Sequence, residues 1–332
     1  MKKCFSICLV MMLVLLIGCG KGSSEPVETT TQTVTEKEET TKEETTKEEE
    51  TTAEKTTEEE PKIDASAIVM DKSQYPIVDG STATLPLSYK VYELATGATP
   101  EVAEAEIIHT KTTNSYYRLA NKEVDLLIVY EASAETLEEI KANGVELIIE
   151  PVGKDALVFM KNSDNPVESL TIDQYRDIYS GKITNWKEVG GEDLDIVAFQ
   201  RPFGSGSQTL MESLIMQGTE MAEAPESRII SSMGAILEEV ASYQNTADAI
   251  GYSVYYYANN MYEIPGLDFL GVNGVIPSTE TIRTDEYELV NPFYVVIRAD
   301  EPENSPARVI FNWLLGEDGQ RLVEEEGYVP AK

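Results

Sequence analysis

From Ala65 onward the chain alternates two hydrophobic rhythms, and this alternation narrows its fold more than any other feature. Short apolar runs occur at Ile107-Ile108, Asp125–Tyr130, Glu146–Ile149, Ala156–Met160, Ile196–Gln200, Ala249–Tyr252 and Tyr294–Arg298. Runs of this length, rich in branched and aromatic residues, predict buried strands. Between them apolar residues recur three or four positions apart: Leu87, Val91 and Leu94; Leu210 and Leu214; Ile236 and Val240; Val309 and Trp313. That spacing lines one face of a helix. Strands alternating with helices predict an α/β fold with mostly parallel sheets. About 270 residues take part, a size that favours two lobes over one.

Residues 1–64 follow neither rhythm. Lys2 and Lys3 precede an uncharged apolar run from Ile7 to Ile17, the pattern of a secretory leader whose core is too short for a comfortable membrane span. It ends in Leu16-Ile17-Gly18-Cys19, which resembles the lipobox of bacterial lipoproteins. That resemblance implies cleavage before Cys19, lipid on Cys19, and a chain anchored to the extracytoplasmic face of the cell membrane. Residues 20–64 then read as a tether. Within 21–60 there are fourteen Glu and five Lys, with Val27, Val34 and Ala53 as the few apolar interruptions. Such a stretch cannot bury enough apolar surface to offset its ordering entropy, and its like charges extend it.

Charge and rare residues exclude much. The formal net charge is −33, of which −26 falls on residues 61–332. A chain this acidic is a poor partner for nucleic acid, whose binding depends on Lys and Arg at phosphates. Any anion site in it must work through local dipoles and donors, not through the global field. The cysteines are Cys4, Cys8 and Cys19, so no disulfide can form within the folded part. His109 is the one histidine and no Gly-x-Ser-x-Gly elbow occurs, which disfavours triads, metal hydrolases and histidine relays. No catalytic residue, metal or cofactor is expected.

Three loops rich in Gly, Ser and Thr each precede a helical pattern. The first is Asp79-Gly80-Ser81-Thr82-Ala83-Thr84-Leu85-Pro86, with Pro86 suited to a first helical turn. The second is Thr110-Lys111-Thr112-Thr113-Asn114-Ser115, before Tyr116, Leu119 and Ala120. The third is Arg201-Pro202-Phe203-Gly204-Ser205-Gly206-Ser207-Gln208, before Leu210 and Leu214. A helix start exposes unpaired N–H groups and partial positive charge, so it attracts anions. Each loop alone reads as an ordinary capped helix start, as Thr171 with Gln174 reads as a capping box. Three such loops and Arg201, whose fork can hold two oxygens, point further, to an oxyanion.

The first loop, the run Tyr179-Ser180-Gly181-Lys182-Ile183-Thr184-Asn185-Trp186, and Arg201 with Gly204-Ser205-Gly206-Ser207 resemble the phosphate-binding lipoproteins of phosphate ABC transporters. Ala249-Ile250-Gly251-Tyr252 and the closing segment from Trp313 to Pro330 fit as well, so the resemblance covers residues 66–332. It implies a two-lobed type II periplasmic-binding-protein fold that hinges shut on its ligand. Lobe I would comprise 65–153 and 253–332, and lobe II 154–252. It also implies a monomer that captures inorganic phosphate without chemistry and delivers it to the permease of an ABC importer. The family's ligand positions fall on Thr84 and Leu85, on Thr112 or Thr113, and on Arg201, Ser205, Gly206 and Ser207.

Two positions depart from the family. Its ligand-accepting aspartate follows the second strand, where this chain has Val129-Tyr130-Glu131; Glu131 is the nearest carboxylate and Asp79 its rival. Phe203 stands where the family often has an aspartate beside the arginine, which would leave Arg201 more charge to direct at a ligand. These departures keep two alternatives open: a receptor for sulfate, molybdate or tungstate, and an anion sensor with no permease. His109 reads as a side chain beside the second loop. Tyr252, Tyr255, Tyr256 and Tyr257 read as packing where the chain recrosses the hinge, and Trp186 and Trp313 as core.

Overall fold

The computed structural model describes residues 62–242, 246–262 and 264–332. The leader with Cys19, and the tether up to residue 61, lie outside them. No helix among the described residues is long and apolar enough to cross a membrane.

Nine strands form the framework: β1 (Val78–Gly80), β2 (Leu126–Tyr130), β3 (Leu147–Asn162), β4 (Ser169–Leu170), β5 (Val197–Ala198), β6 (Ala249–Val254), β7 (Leu267–Val272), β8 (Val290–Arg298) and β9 (Val329–Pro330). Their order is β1-β2-β8-β3-β6-β5, with β7 and β9 also on β3 and β4 on β7. β3 is the member common to both lobes. From Leu147 to Ala156 it pairs with β8, and from Leu157 to Asn162 with β6 and β7. One 16-residue strand therefore runs from the sheet of the first lobe into the sheet of the second.

The mixed sheet corrects the expectation of mostly parallel pairing. β1–β2, β4–β7 and β5–β6 are parallel, whereas every partner of β3 is antiparallel to it, as is β2 to β8. Helices cross over between parallel neighbours such as β5 and β6, but β3 takes its neighbours from late in the chain, which enter from the opposite end. Two expected strands, Glu146–Ile149 and Ala156–Met160, are halves of β3; a register shift between Pro151 and Gly153 absorbs the proline that separates them. Ile107-Ile108 is no strand: Ile107 ends the helix Pro100–Glu106 and packs with Tyr92 and Ala103, and Ile108 is exposed. β7 pairs with the Phe159–Asn162 end of β3, and β8 with its Leu147–Ala156 half.

Each lobe has an apolar centre. Phe159 stacks on Tyr175 at 3.7 Å in the second, near the buried Trp186. Thr171 and Gln174 do form a capping box. The tyrosines at the crossing are buried packing groups, with Tyr256 stacked on Tyr328 at 3.5 Å.

Where β3 changes sheets, the fully enclosed Asp155 gathers three donors. Ala156 N (2.7 Å) and Tyr256 N (3.0 Å) donate to Oδ1, and the Tyr130 hydroxyl donates to Oδ2. Burial lifts the Asp155 carboxyl from 3.8 to about 6, against the lowering effect of those donors. The folded chain therefore holds this proton more tightly than the unfolded chain does. That contribution is fully present below the ordinary carboxylate value and is lost as pH rises through about 6, a change of about 3 kcal/mol at most. Asparagine keeps the acceptor for the two N–H groups and cannot ionise. Asp155→Asn should thus gain stability relative to the parent chain as pH rises from about 4 to about 7, read from urea midpoints. A difference that stays flat with pH would show that Asp155 does not titrate there.

Candidate functional site

β1 ends at Gly80, parallel to β2, and the chain turns at once through Ser81 into a 3-10 turn, Thr82–Thr84, and the helix Leu85–Thr96 with Pro86 in its first turn. The Ser81 hydroxyl accepts from Tyr130 N (3.0 Å) and lies 2.8 Å from Thr112 Oγ1. The Ser81–Thr112 bond can run in either direction, so Thr112 can turn its proton to another acceptor while Ser81 keeps its own bond from Tyr130. Asp79 fixes this arrangement from behind. It accepts from Gly80 N, Thr110 N and the Thr110 hydroxyl at 2.6–2.7 Å and pairs with Arg118. His109 donates from Nδ1 to Ser81 O (2.7 Å), and burial pushes its imidazole down to about 4, so it is neutral.

The second loop opens on Lys111, whose backbone sits at φ 76°, ψ 160°. That region is essentially reserved for glycine and costs a side-chain-bearing residue about 1–3 kcal/mol. Its ammonium reaches Ser231 O in the second lobe at 3.4 Å.

The third loop supplies the most unusual groups. Arg201 is 5 % exposed; its N–H donates to the Tyr252 hydroxyl (2.9 Å) and its Nη1 to Ile230 O (2.5 Å). Tyr252 in turn donates to Gln208 Oε1, tying the arginine to the helical run that starts at Gly206. Arg201 Nε has no partner, and no carboxylate pairs with the guanidinium among the described residues. Burial lowers its pKa, opposed by the nearby Tyr252 and Tyr257 phenols and by no carboxylate. Ser205 Oγ and Ser207 Oγ are likewise buried and unpartnered. Buried polar groups are satisfied in nine cases of ten or more, so three idle ones converging at a single place call for a ligand.

They converge on a small cavity between the lobes. Its wall is Ser81, Thr82, Ala83, Lys111, Thr112 and Tyr130 on one side and Arg201, Ser205, Gly206, Ser207 and Met233 on the other. Two cations, five hydroxyls from serine and threonine, and first-turn N–H groups surround it, and the wall holds no Asp or Glu. Such a lining stabilises a small oxyanion and offers nothing to a cation.

The expected residues fall as follows. Thr112, Arg201, Ser205, Gly206 and Ser207 meet on the wall. Thr113 stands beside the cavity, opposite Gly204. Thr84 and Leu85 are displaced from it: the wall takes Ser81 to Ala83, the three residues just before them, while the Thr84 hydroxyl turns inward and shares its proton between Ser81 O (2.9 Å) and Ile128 O (2.5 Å). Glu131 is exposed on the far side of β2, close enough to Tyr116 and Tyr294 to add to the effect of burial in raising their phenols. Strand alternation is the reason, since Tyr130 points inward and its successor points out. Phe203 is 72 % exposed. Lys111, Tyr130 and Met233 were not anticipated. Two of them carried a signal: a lysine inside a Ser/Thr loop, and an aromatic closing a strand.

A model described as a PBP superfamily domain matches residues 28–315. The chain is 26 % identical over 273 residues to the phosphate-binding protein PstS of Borreliella burgdorferi, covering 79 % of this chain and 92 % of that protein. It is 29 % identical over 200 residues to the protein of the same name in Bacillus subtilis, covering 60 % and 62 %. Among solved structures, a Clostridium perfringens ABC-transporter substrate-binding protein with bound phosphate superposes with a TM-score of 0.60 at 23 % identity, over 77 % of this chain and 98 % of that one. An ABC-type phosphate transport receptor from Vibrio cholerae gives 0.57 at 23 %, over 76 % and 98 %. At these identities the two structures speak for the fold.

Gly206 shows how tightly the wall is closed. A β-carbon there would meet Thr112 Oγ1 at 2.7 Å and the Tyr130 ring at 3.6 Å. Gly206→Ala should therefore hold the two sides apart. The expected outcome is a ligand-free melting temperature close to that of the parent chain and loss of the upward shift produced by added phosphate. An undiminished shift would mean that the third loop does not close on a ligand.

Proposed function

Because the chain belongs to the PBP superfamily, we propose that it is an extracytoplasmic solute-binding protein that captures phosphate and hands it to the permease of an ABC importer. The observation that carries this reading is the buried Arg201, charged and without a carboxylate, beside the unpartnered hydroxyls of Ser205 and Ser207. An oxyanion supplies what all three lack. The names of the B. burgdorferi and B. subtilis relatives point to phosphate as that oxyanion.

The mechanism is capture with no covalent step. Lobe I brings Ser81 to Ala83 and Thr112, lobe II brings Arg201 and the Ser205–Ser207 helix start, and the ligand biases the lobes toward closure. The closed, monomeric form is the one the permease recognises. In this reading Cys19 carries the lipid that holds the protein at the membrane, and residues 20–64 are the tether that gives it reach. Several acyl chains on one cysteine anchor stably, at ~0.8 kcal/mol for each buried CH₂.

Two experiments test this. Isothermal titration of the ion-stripped chain with phosphate should show binding that Arg201→Ala weakens by at least ~2 kcal/mol, since a desolvated charge-assisted partner is removed. No phosphate binding by the parent chain, or full affinity in the variant, would refute the site. Cys19→Ala should move the protein from the membrane fraction to the soluble one or the medium; retention at the membrane would refute the lipid anchor.

A further inference from the structure

The cavity wall carries positive charge and hydroxyls but no carboxylate, and this bears on which anions it can tell apart. A hydroxyl turns either way: it donates to a bare oxygen or accepts from a protonated one. Thr82, Thr112, Ser205 and Ser207 line the cavity beside the Ser81 hydroxyl held by Tyr130, so a bare oxygen and a P–OH group are both accommodated by rotation. Strong rejection of an analogue, by about 10⁴-fold or more, requires a buried group that the wrong ligand leaves unpaired. A fixed acceptor facing a fully ionised oxygen would be such a group. Asp79 is spent on Gly80, Thr110 and Arg118, Asp155 lies behind the Tyr130 ring at the hinge, and Glu131 faces outward.

What remains to discriminate is charge. Arg201 contributes one positive charge from the second lobe. Lys111 contributes a second from the first, on a backbone held in a glycine-type conformation that places its side chain on the wall and across the mouth to Ser231. We propose that this site selects tetrahedral dianions by charge and size and not by reading the proton of a P–OH group, so that it takes sulfate as well as hydrogen phosphate, and that Lys111 sets its preference for dianions over monoanions. The inference rests on the proposed capture of phosphate and deepens it.

The other ionisable groups near Lys111 and the ligand are Arg201 with Tyr252 and Tyr257, Tyr130 and, behind them, His109, Asp155 and Asp79 paired with Arg118. Sulfate controls for all of these. It does not titrate near neutrality, so any pH effect through the protein alters both ligands alike, whereas phosphate itself takes up a proton there.

The test is competitive calorimetric titration of the full, ion-stripped chain with sodium sulfate and sodium phosphate at about pH 6 and about pH 8.5, values that bracket the second phosphate ionisation. Sulfate should displace phosphate with an affinity within about 100-fold of it, far short of what a fixed acceptor gives. The phosphate-to-sulfate affinity ratio should fall several-fold at the lower pH. Lys111→Gln should weaken sulfate roughly 10-fold, the effect of losing one charge-assisted partner, and flatten the pH dependence of the ratio. Lys111→Arg should restore both. Phosphate binding that sulfate cannot challenge at about 10⁴-fold excess would overturn the inference while leaving the proposed function intact. An unchanged ratio in Lys111→Gln would overturn the role of Lys111. Failure of phosphate to bind at all would overturn the proposed function and this inference together.

Discussion

An arginine removed from water without a carboxylate beside it is the constraint around which this molecule is arranged. Desolvating a guanidinium is costly, and the usual remedy, an acidic neighbour, is missing at Arg201. The protein offsets part of the cost with neutral groups: the Ile230 carbonyl takes Nη1, and Tyr252 holds the main chain. It leaves the charge itself uncompensated, so the folded chain without ligand is poised to gain from an incoming anion. In a protein of net charge −33 that local imbalance has to be built from inside, because the surface potential repels anions.

The rest of the fold serves to bring donors to that charge from the other side of the gap. β1 and β2 run parallel, and Ser81 just past β1 meets Tyr130 at the end of β2. Asp79 and His109 are supports behind them, binding the backbone of the first two loops. Two polar side chains that might be mistaken for ligand contacts are thus second in line, and their contribution is to keep Ser81 and Thr112 where the third loop can meet them.

Much of this is legible in the sequence, for reasons that differ from residue to residue. The three loops are visible because Gly, Ser and Thr before an apolar helical spacing are local signals that need no tertiary context. Arg201 and Ser205 to Ser207 lie within one such signal, and the structure brings them together with Thr112. What the sequence leaves open is register. Ser81, Thr82 and Thr84 carry similar hydroxyls within four positions, and only the 3-10 turn decides that Thr84 points back to Ile128. Glu131 fails by one position because a strand reverses its facing with every residue. β3 reads as two strands because Pro151 interrupts its apolar pattern, and a bulge that rescues a strand leaves no mark in periodicity.

That long strand has a thermodynamic consequence distinct from its part in closing the site. β3 is a central member of both sheets, flanked by β8 and β9 along one half and by β6 and β7 along the other. Melting either lobe would strip the other of the strand that completes its sheet. The strand they share couples the unfolding of one lobe to that of the other. The shared strand thus disfavours half-unfolded forms, whose bare sheet edges would invite aggregation.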